Sequence, residues 1–234
     1  MATFTFNQPS AETLTGTDEK DTFIASNNFF GAGDRAFGGL GIDDFLLFAD
    51  PSLTLDGVAQ ANPFGGPTKT YSAFQLNSVE TVTVVNDSGA TLIFDMSGSA
   101  GVTDVVSANS SNSVIFDQMA NLANVRLNDT TFTATTNVGV GFDAALLAGA
   151  SDTVNLVLQN TVANEVQLGA AGATLGNIGN SGIETVNLTV LGGNSTIATL
   201  DTQLTNLVIL DDVGSGSVAI TNALAGTVRS VNNQ

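Results

Sequence analysis

Gly38, Gly39, Gly41, Asp43 and Phe45 occupy every defined position of the nonapeptide G-G-x-G-x-D-x-U-x, written here as Gly38-Gly39-Leu40-Gly41-Ile42-Asp43-Asp44-Phe45-Leu46. That spacing is suited to calcium: glycines let the backbone turn sharply enough to aim carbonyl oxygens at one point, and the aspartate adds a carboxylate. The aromatic residue turns inward and anchors the strand that follows. Such a loop holds an ion between successive turns of a β-roll, so a second ligand-bearing loop is expected nearby. Laid on the same register from Gly16, the segment Gly16-Thr17-Asp18-Glu19-Lys20-Asp21-Thr22-Phe23-Ile24 puts Asp21 at the aspartate position and Phe23 at the apolar one, with Thr17 and Glu19 standing where the motif has glycine. Between the two loops Asp34 follows Gly31-Ala32-Gly33. Asp18, Asp21, Asp34, Asp43 and Asp44 therefore crowd into a short stretch, and their mutual repulsion is a physical reason to expect a cation. Ordinary Asp/Gly turns between strands are the alternative. Asp50, Asp56 and Asp87 read as solvated turn residues.

The rest of the composition restricts what else such residues could do. Lys20, Arg35, Lys69, Arg126 and Arg229 face 22 acidic residues in a chain of 234, a formal net charge of -17. Phosphate backbones and anionic lipid would be repelled, so no nucleic-acid partner is expected. With neither His nor Cys, there is no Ser-His-Asp or Cys-His nucleophile and no imidazole base, and any metal site is built from oxygen, which selects hard cations. With no Trp and one Tyr, Tyr71, a carbohydrate-stacking platform would have to be made of Phe. No apolar run approaches membrane length, so no membrane insertion is expected. Met1-Ala-Thr-Phe-Thr-Phe-Asn-Gln-Pro has neither a basic n-region nor an apolar h-region. The expectation is that an export address lies beyond Gln234 or has been removed.

The elements that would position these residues read as strands. Residues 1 to 76 form an N-terminal calcium-binding Gly/Asp block ending in a Pro/Gly-rich loop from about 49, where Pro51, Pro63 and Pro67 rule out a central strand. Residues 77 to 234 become a series of short Val/Leu/Ile/Thr strands at 82–86, 91–95, 113–117, 124–128, 153–159, 184–190, 206–210 and 217–221, in which alternate residues share a face. This region repeats itself. Ser78-Val79-Glu80-Thr81-Val82 recurs as Gly182-Ile183-Glu184-Thr185-Val186, Thr91–Asp95 aligns with Ile197–Asp201, Ser113–Ile115 with Ser217–Ala219, and Val125-Arg126 with Val228-Arg229. A period of a little over one hundred residues spans several coils, so a super-repeat runs from about 78 to 181 and a second copy is truncated at 234. The links are too short for crossover helices, and repetition favours a stack of coils over a sandwich. The predicted fold is all-β, a parallel β-solenoid or β-roll with very little helix. Phe142–Leu147 is the one segment expected to make a helical turn or two. Asn109-Ser110-Ser111-Asn112 is expected to satisfy backbone groups at a solenoid corner.

Taken in order, Leu14-Thr-Gly-Thr with Asp21-Thr-Phe, Gly38-Gly-Leu-Gly-Ile-Asp43, Val79-Glu-Thr-Val, Asp95-Met-Ser-Gly and Ile183-Glu-Thr-Val-Asn-Leu resemble the β-strand-repeat proteins of Gram-negative bacteria and cyanobacteria, among them RTX-type surface-layer proteins exported by type I secretion. The resemblance spans nearly the whole chain. It implies calcium-dependent folding outside the cell, self-assembly into a surface array and a C-terminal secretion signal.

The expected function is thus structural and not enzymatic: a calcium-dependent, self-assembling module of a secreted surface-layer protein at the bacterial cell surface. Its metal ligands would come from Asp18, Asp21, Asp34, Gly38, Gly39, Gly41, Asp43 and Asp44, and its partners would be copies of itself, with cell-surface polysaccharide as a second candidate. The alternative is a calcium-stabilised adhesin or biofilm-matrix segment that binds a glycan or another cell. A β-helix polysaccharide lyase is less favoured because it needs a basic residue at the reacting carbon and the chain has few to offer.

Overall fold

A computed structural model describes residues 1–26, 29–49, 68–130, 137–211, 216–222, 224 and 230–233. The Pro/Gly-rich stretch 50–67 and the Val228-Arg229 end of the internal repeat lie outside these residues.

The described chain is all-β and winds as a parallel stack of coils. Most coils contribute one strand to a ten-stranded sheet and one to a sheet facing it; the coil from residue 44 to residue 77 contributes one strand to each of the two facing sheets. The long sheet runs β1 (Thr3–Thr5), β3 (Thr22–Ser26), β5 (Asp44–Ala49), β8 (Thr81–Asn86), β10 (Asp104–Ala108), β12 (Asn124–Asn128), β14 (Thr153–Gln159), β16 (Thr185–Leu191), β18 (Asn206–Asp211) and β20 (Ser230–Asn233). Facing it are a three-stranded sheet, β2 (Thr13–Thr15), β4 (Arg35–Phe37) and β7 (Gln75–Asn77), and a seven-stranded sheet, β6 (Thr68–Tyr71), β9 (Thr91–Asp95), β11 (Val114–Met119), β13 (Asn137–Phe142), β15 (Val162–Ala170), β17 (Ser195–Asp201) and β19 (Val218–Ile220). All strand pairings in these sheets are parallel, as between β14 and β16, where Val154, Leu156 and Leu158 stack on Val186, Leu188 and Val190.

Alternation explains the strands. In β16 the residues Val186, Leu188 and Val190 point inward and are buried while Thr185, Asn187 and Thr189 are only half-covered, so a one-residue slip would turn the apolar set to water. One apolar core runs from Phe6 to Leu207. Its centre is aromatic: Tyr71 stacks on Phe94 at 4.8 Å and Phe94 on Phe116 at 5.6 Å. The core and the long sheet pass without interruption across residues 76 and 77, because β5 pairs directly with β8.

The internal repeat has a structural meaning. Aligned segments occupy the same sheet: β8 and β16 in the long sheet, and β9 with β17 and β11 with β19 in the seven-stranded one. Ser78 and Gly182, which open the two copies, both have positive φ, 52° and 94°. The corners after the long-sheet strands repeat as well. Asn109, Asp129 and Asn160 each take a left-handed conformation, with φ of 47°, 48° and 47°, which Asn and Asp tolerate best among residues with a side chain. The following Ser110, Thr130 and Thr161 are buried. Ser110 Oγ donates to Val84 O, and Thr161 Oγ1 donates to Leu127 O one coil away. The Asn109-Ser110 segment is thus a corner bonded through its side chains, as expected from the residue types.

Two local expectations differ. Phe142 ends β13 instead of starting a helix, and residues 144–147 make only a turn; the sole described helix is a single 3-10 turn, Met96–Gly98. Within the stretch read as loop from 49 to 76, β6 and β7 are strands. The proline spacing hid them because all three prolines precede Thr68.

Candidate functional site

Both glycine–aspartate loops lie at the corner that leads into the long sheet, and they stack one on the other. β3 pairs with β5 so that Thr22 faces Asp44, Phe23 faces Phe45 and Ile24 faces Leu46. This is the register obtained by aligning Gly16 with Gly38. Phe23 and Phe45 are fully buried, as the inward position requires. The glycines are needed for the closeness of the stack. A Cβ on Gly38 would fall on the Ser78 carbonyl oxygen and on Asp43 Oδ2, one on Gly39 (φ +109°) on the Thr17 carbonyl, and one on Gly41 on the Glu19 carbonyl.

The carboxylates of this corner form a ladder along the stack. Asp21 Oδ1 accepts the Ala2 N–H at 2.7 Å, Asp43 Oδ1 accepts the Asp21 N–H at 2.6 Å, and Glu80 Oε2 accepts the Asp43 N–H at 2.7 Å. Further along, Glu184 Oε2 accepts the Asp152 N–H at 2.8 Å. The aligned glutamates of the two repeat copies, Glu80 and Glu184, therefore do the same job. They satisfy a backbone donor of the preceding coil that would otherwise be lost at the corner.

Within that ladder Asp21 and Asp43 differ. Asp21 Oδ2 also receives the Thr17 N–H and hydroxyl. Burial pulls its carboxyl upward, but the Thr17 and Ala2 donors and the N-terminal charge outweigh it and leave the group below its ordinary range. Asp43 is as deeply buried, yet no donor among the described residues reaches its Oδ2. Burial pushes its carboxyl above the ordinary range, offset in part by the Asp21 N–H and reinforced by the charges of Asp21, Glu80 and Asp44. The loop accounts for part of the contrast: where Thr17 supplies a hydroxyl as well as its N–H, the nonapeptide has Gly39, which has no hydroxyl and whose N–H does not reach Asp43 Oδ2.

The other expected ligands are dispersed. Asp34 belongs to the opposite corner, where its two oxygens accept the Glu12 N–H at 2.7 Å and the Gly31 N–H at 2.8 Å. Burial holds it above its ordinary range despite those bonds. Asp44 lies on the outer side of β5 and pairs with Lys20 Nζ at 2.8 Å. Asp18 is exposed. Among the described residues no group of three or more acidic side chains is arranged to hold a metal ion. Asp43 Oδ2 is the oxygen of this set that suits a hard cation: buried, without a donor, and beside the Ser78 carbonyl. The oxygens of Asp21 and Asp34 are already engaged by N–H groups. Glu80, Ser78 and Thr17 are the site residues that motif reading missed, although the Glu80/Glu184 match was a signal for the first.

Comparisons of the chain with protein-family models, with curated proteins and with solved structures each found no match.

Proposed function

We propose that the chain is a structural module of a secreted bacterial surface-layer protein, stabilised by calcium at the Asp43 corner and assembling with copies of itself. The observation that carries this reading is Asp43 Oδ2, a fully buried carboxylate oxygen with no donor among the described residues, enclosed by two stacked glycine loops and surrounded by Asp21, Asp44 and Glu80. A buried charge without a partner is costly. A bound calcium would supply the missing positive charge; Asp43 and the neighbouring loop carbonyls would hold it, while Asp21 and Glu80 fix the loop backbone through their N–H bonds. With so few protein ligands, binding falls in the weak range of extracellular modules, on the order of 10⁻⁴ to 10⁻³ M, so that folding would be completed on export.

Self-assembly is supported by the architecture: a long repetitive stack offers a periodic surface and needs no catalytic cleft. The test is a melting curve by circular dichroism together with light scattering, in calcium and in EGTA. A rise in melting temperature and the appearance of large particles in calcium are the expected result, with both losses concentrated in Asp43→Ala. Identical melting and a monomer under both conditions would sink the proposal.

A further inference from the structure

At one end the coil stack opens on two strands with nothing stacked above them among the described residues: β1 pairs only with β3, and β2 only with β4. The ladder bonds fix which groups are left over. Thr22 N–H donates to Ala2 O and Phe6 N–H to Ile24 O, both at 2.9 Å, so Ala2, Phe4 and Phe6 face β3 while the N–H and C=O of Thr3 and Thr5 point away from the stack. In β2, Arg35 N–H donates to Glu12 O at 2.8 Å and Gly16 N–H to Phe37 O at 2.7 Å, which leaves Thr13 and Thr15 pointing the same way. Met1 and Ala2 are held aside at the corner, by Glu19 at 2.9 Å and Asp21 at 2.7 Å.

The core is open here as well. The apolar side chains only partly buried against it include Phe4 and Leu14 at this end and Ile209, Val218 and Ile220 at the other. A solenoid end is usually closed by a capping coil with a polar outer side, and an exposed edge is protected by a charge, a proline or a bulge. β1 (Thr-Phe-Thr) and β2 (Thr-Leu-Thr) have none of these, and neither do β19 (Val-Ala-Ile) and β20 (Ser-Val-Asn-Asn) at the opposite end of the described strands. Because every pairing in the sheets is parallel, the two ends are complementary. Shifted along the axis, β20 of one copy meets β1 of the next in the long sheet while β19 meets β2 in the facing one, each in the direction the ladder requires. In a chain of net charge -17 these four strands bring no charged side chain together. The outer face of the seven-stranded sheet, by contrast, is already covered. Residues 171–181 form a strap folded back over it, with Ile178 and Leu175 packed on Ile93 and Ile115, and a Cβ on Gly139 of β13 would come within 2.7 Å of Ile178 Cδ1.

We propose that copies of this chain stack end on, β1 and β2 of one extending the ladders that finish in β20 and β19 of the next. This contact presupposes the self-association proposed above and gives it a surface. It is heterologous and does not close, so it builds a fibre, and ten strands at about 4.8 Å each set an axial repeat of roughly 48 Å. Calcium at the Asp43 corner reaches this end through the carboxylate ladder, since Asp43 holds the Asp21 N–H and Asp21 holds the Ala2 N–H at the start of β1.

The test is negative-stain electron microscopy and sedimentation velocity of the chain in saturating calcium, with Thr5→Pro and Thr15→Pro as separate variants. The N–H that each proline removes has no partner among the described residues, so the monomer keeps its ladder and its rise in melting temperature with calcium, while the incoming edge loses a donor and meets a ring. The expected result is unbranched fibres with that axial repeat in the wild type and loss of the sedimenting fibres in both variants. Assemblies that persist in a folded variant, or wild-type assemblies without the repeat, overturn the end-on contact and leave the self-assembly reading standing. A wild-type chain that stays monomeric in calcium overturns both. Should the prolines unfold the chain, the wild-type repeat decides alone.

Discussion

Replacing Gly38 with Ala tests whether the glycines of the nonapeptide are there for packing as well as for ion geometry. The added methyl would coincide with the Ser78 carbonyl oxygen and with Asp43 Oδ2. The first is main chain, so no side-chain rotation relieves it; the coil containing β7 would have to move off the one containing β4. Overpacking of this kind costs about 1–3 kcal/mol when neighbours can give, and a rigid carbonyl puts Gly38→Ala at about 3 kcal/mol. For a chain of this size that lowers the melting temperature by roughly 6–12 °C. Two other glycines isolate the cause. Gly89 has a φ of +75° but nothing within 4 Å of an added methyl, so Gly89→Ala carries only the strain of a left-handed residue, about 1 kcal/mol. Gly31 has open space and no positive φ, so Gly31→Ala is neutral or stabilising by up to about 1 kcal/mol. Thermal unfolding of the three variants in EGTA, where ion binding cannot contribute, should rank them Gly38 far below Gly89 and Gly89 below Gly31. A Gly38→Ala protein that melts with Gly31→Ala would refute the close stacking of the two loops.

Asn86 is buried and bonds at both ends, donating to Ala90 O at 2.9 Å and Ser113 O at 2.8 Å and accepting from the Ser88 hydroxyl at 2.7 Å. Asn86→Leu removes the side-chain donor of the Ala90 carbonyl and leaves the Ser113 carbonyl with the Leu92 N–H alone, and should cost about 1–3 kcal/mol, read as a fall in the urea midpoint. Glu165 is held above its ordinary range by burial first, then by the charge of Asp201 and the hydrogen bond to it. Because its folded value is raised, folding takes up a proton in the window above the ordinary glutamate value, and that contribution is lost as pH rises through the raised one. Glu165→Gln should therefore melt higher than wild type at neutral pH and match it in mild acid; melting curves between about pH 4 and 8 that stay parallel would count against the pairing.

The coil stack was legible because its evidence is periodic. Alternation in Glu184–Val190 and the match of Ser78–Val85 to Gly182–Thr189 fix face and coil without knowledge of contacts, and the register of Phe23 on Phe45 followed from two loops read alike. The aspartates were legible as a corner set but not in their individual roles. Asp21 and Asp43 are the same residue at equivalent positions, and what separates them is the Thr17 hydroxyl, which Gly39 lacks, together with a loop N–H that reaches Asp21 and not Asp43. Asp34 lies outside the nonapeptide register and was grouped with them because it follows Gly31-Ala32-Gly33 between the two loops; the fold assigns it to the opposite corner. The strap at 171–181 was hidden for a different reason. Gly-, Ala- and Asn-rich chain reads as a plain connection, and the signal that something lies on β13 is the alternation of Gly139 and Gly141 with Val138, Val140 and Phe142, which marks an outward face stripped of side chains.

The parallel ladder has a mechanical consequence. Hydrogen bonds between coils run along the stacking axis, whereas the covalent chain runs around it, so the two directions resist load unequally. Tension along the axis would open one coil boundary at a time, each giving way at the force that separates the strand pairs of two adjacent coils, such as β14 from β16 and β15 from β17. Tension across the axis would be shared among many rungs at once. The molecule would therefore be compliant along the stack and stiff across it, an anisotropy set by nothing more than the direction in which strands such as β14 and β16 are paired.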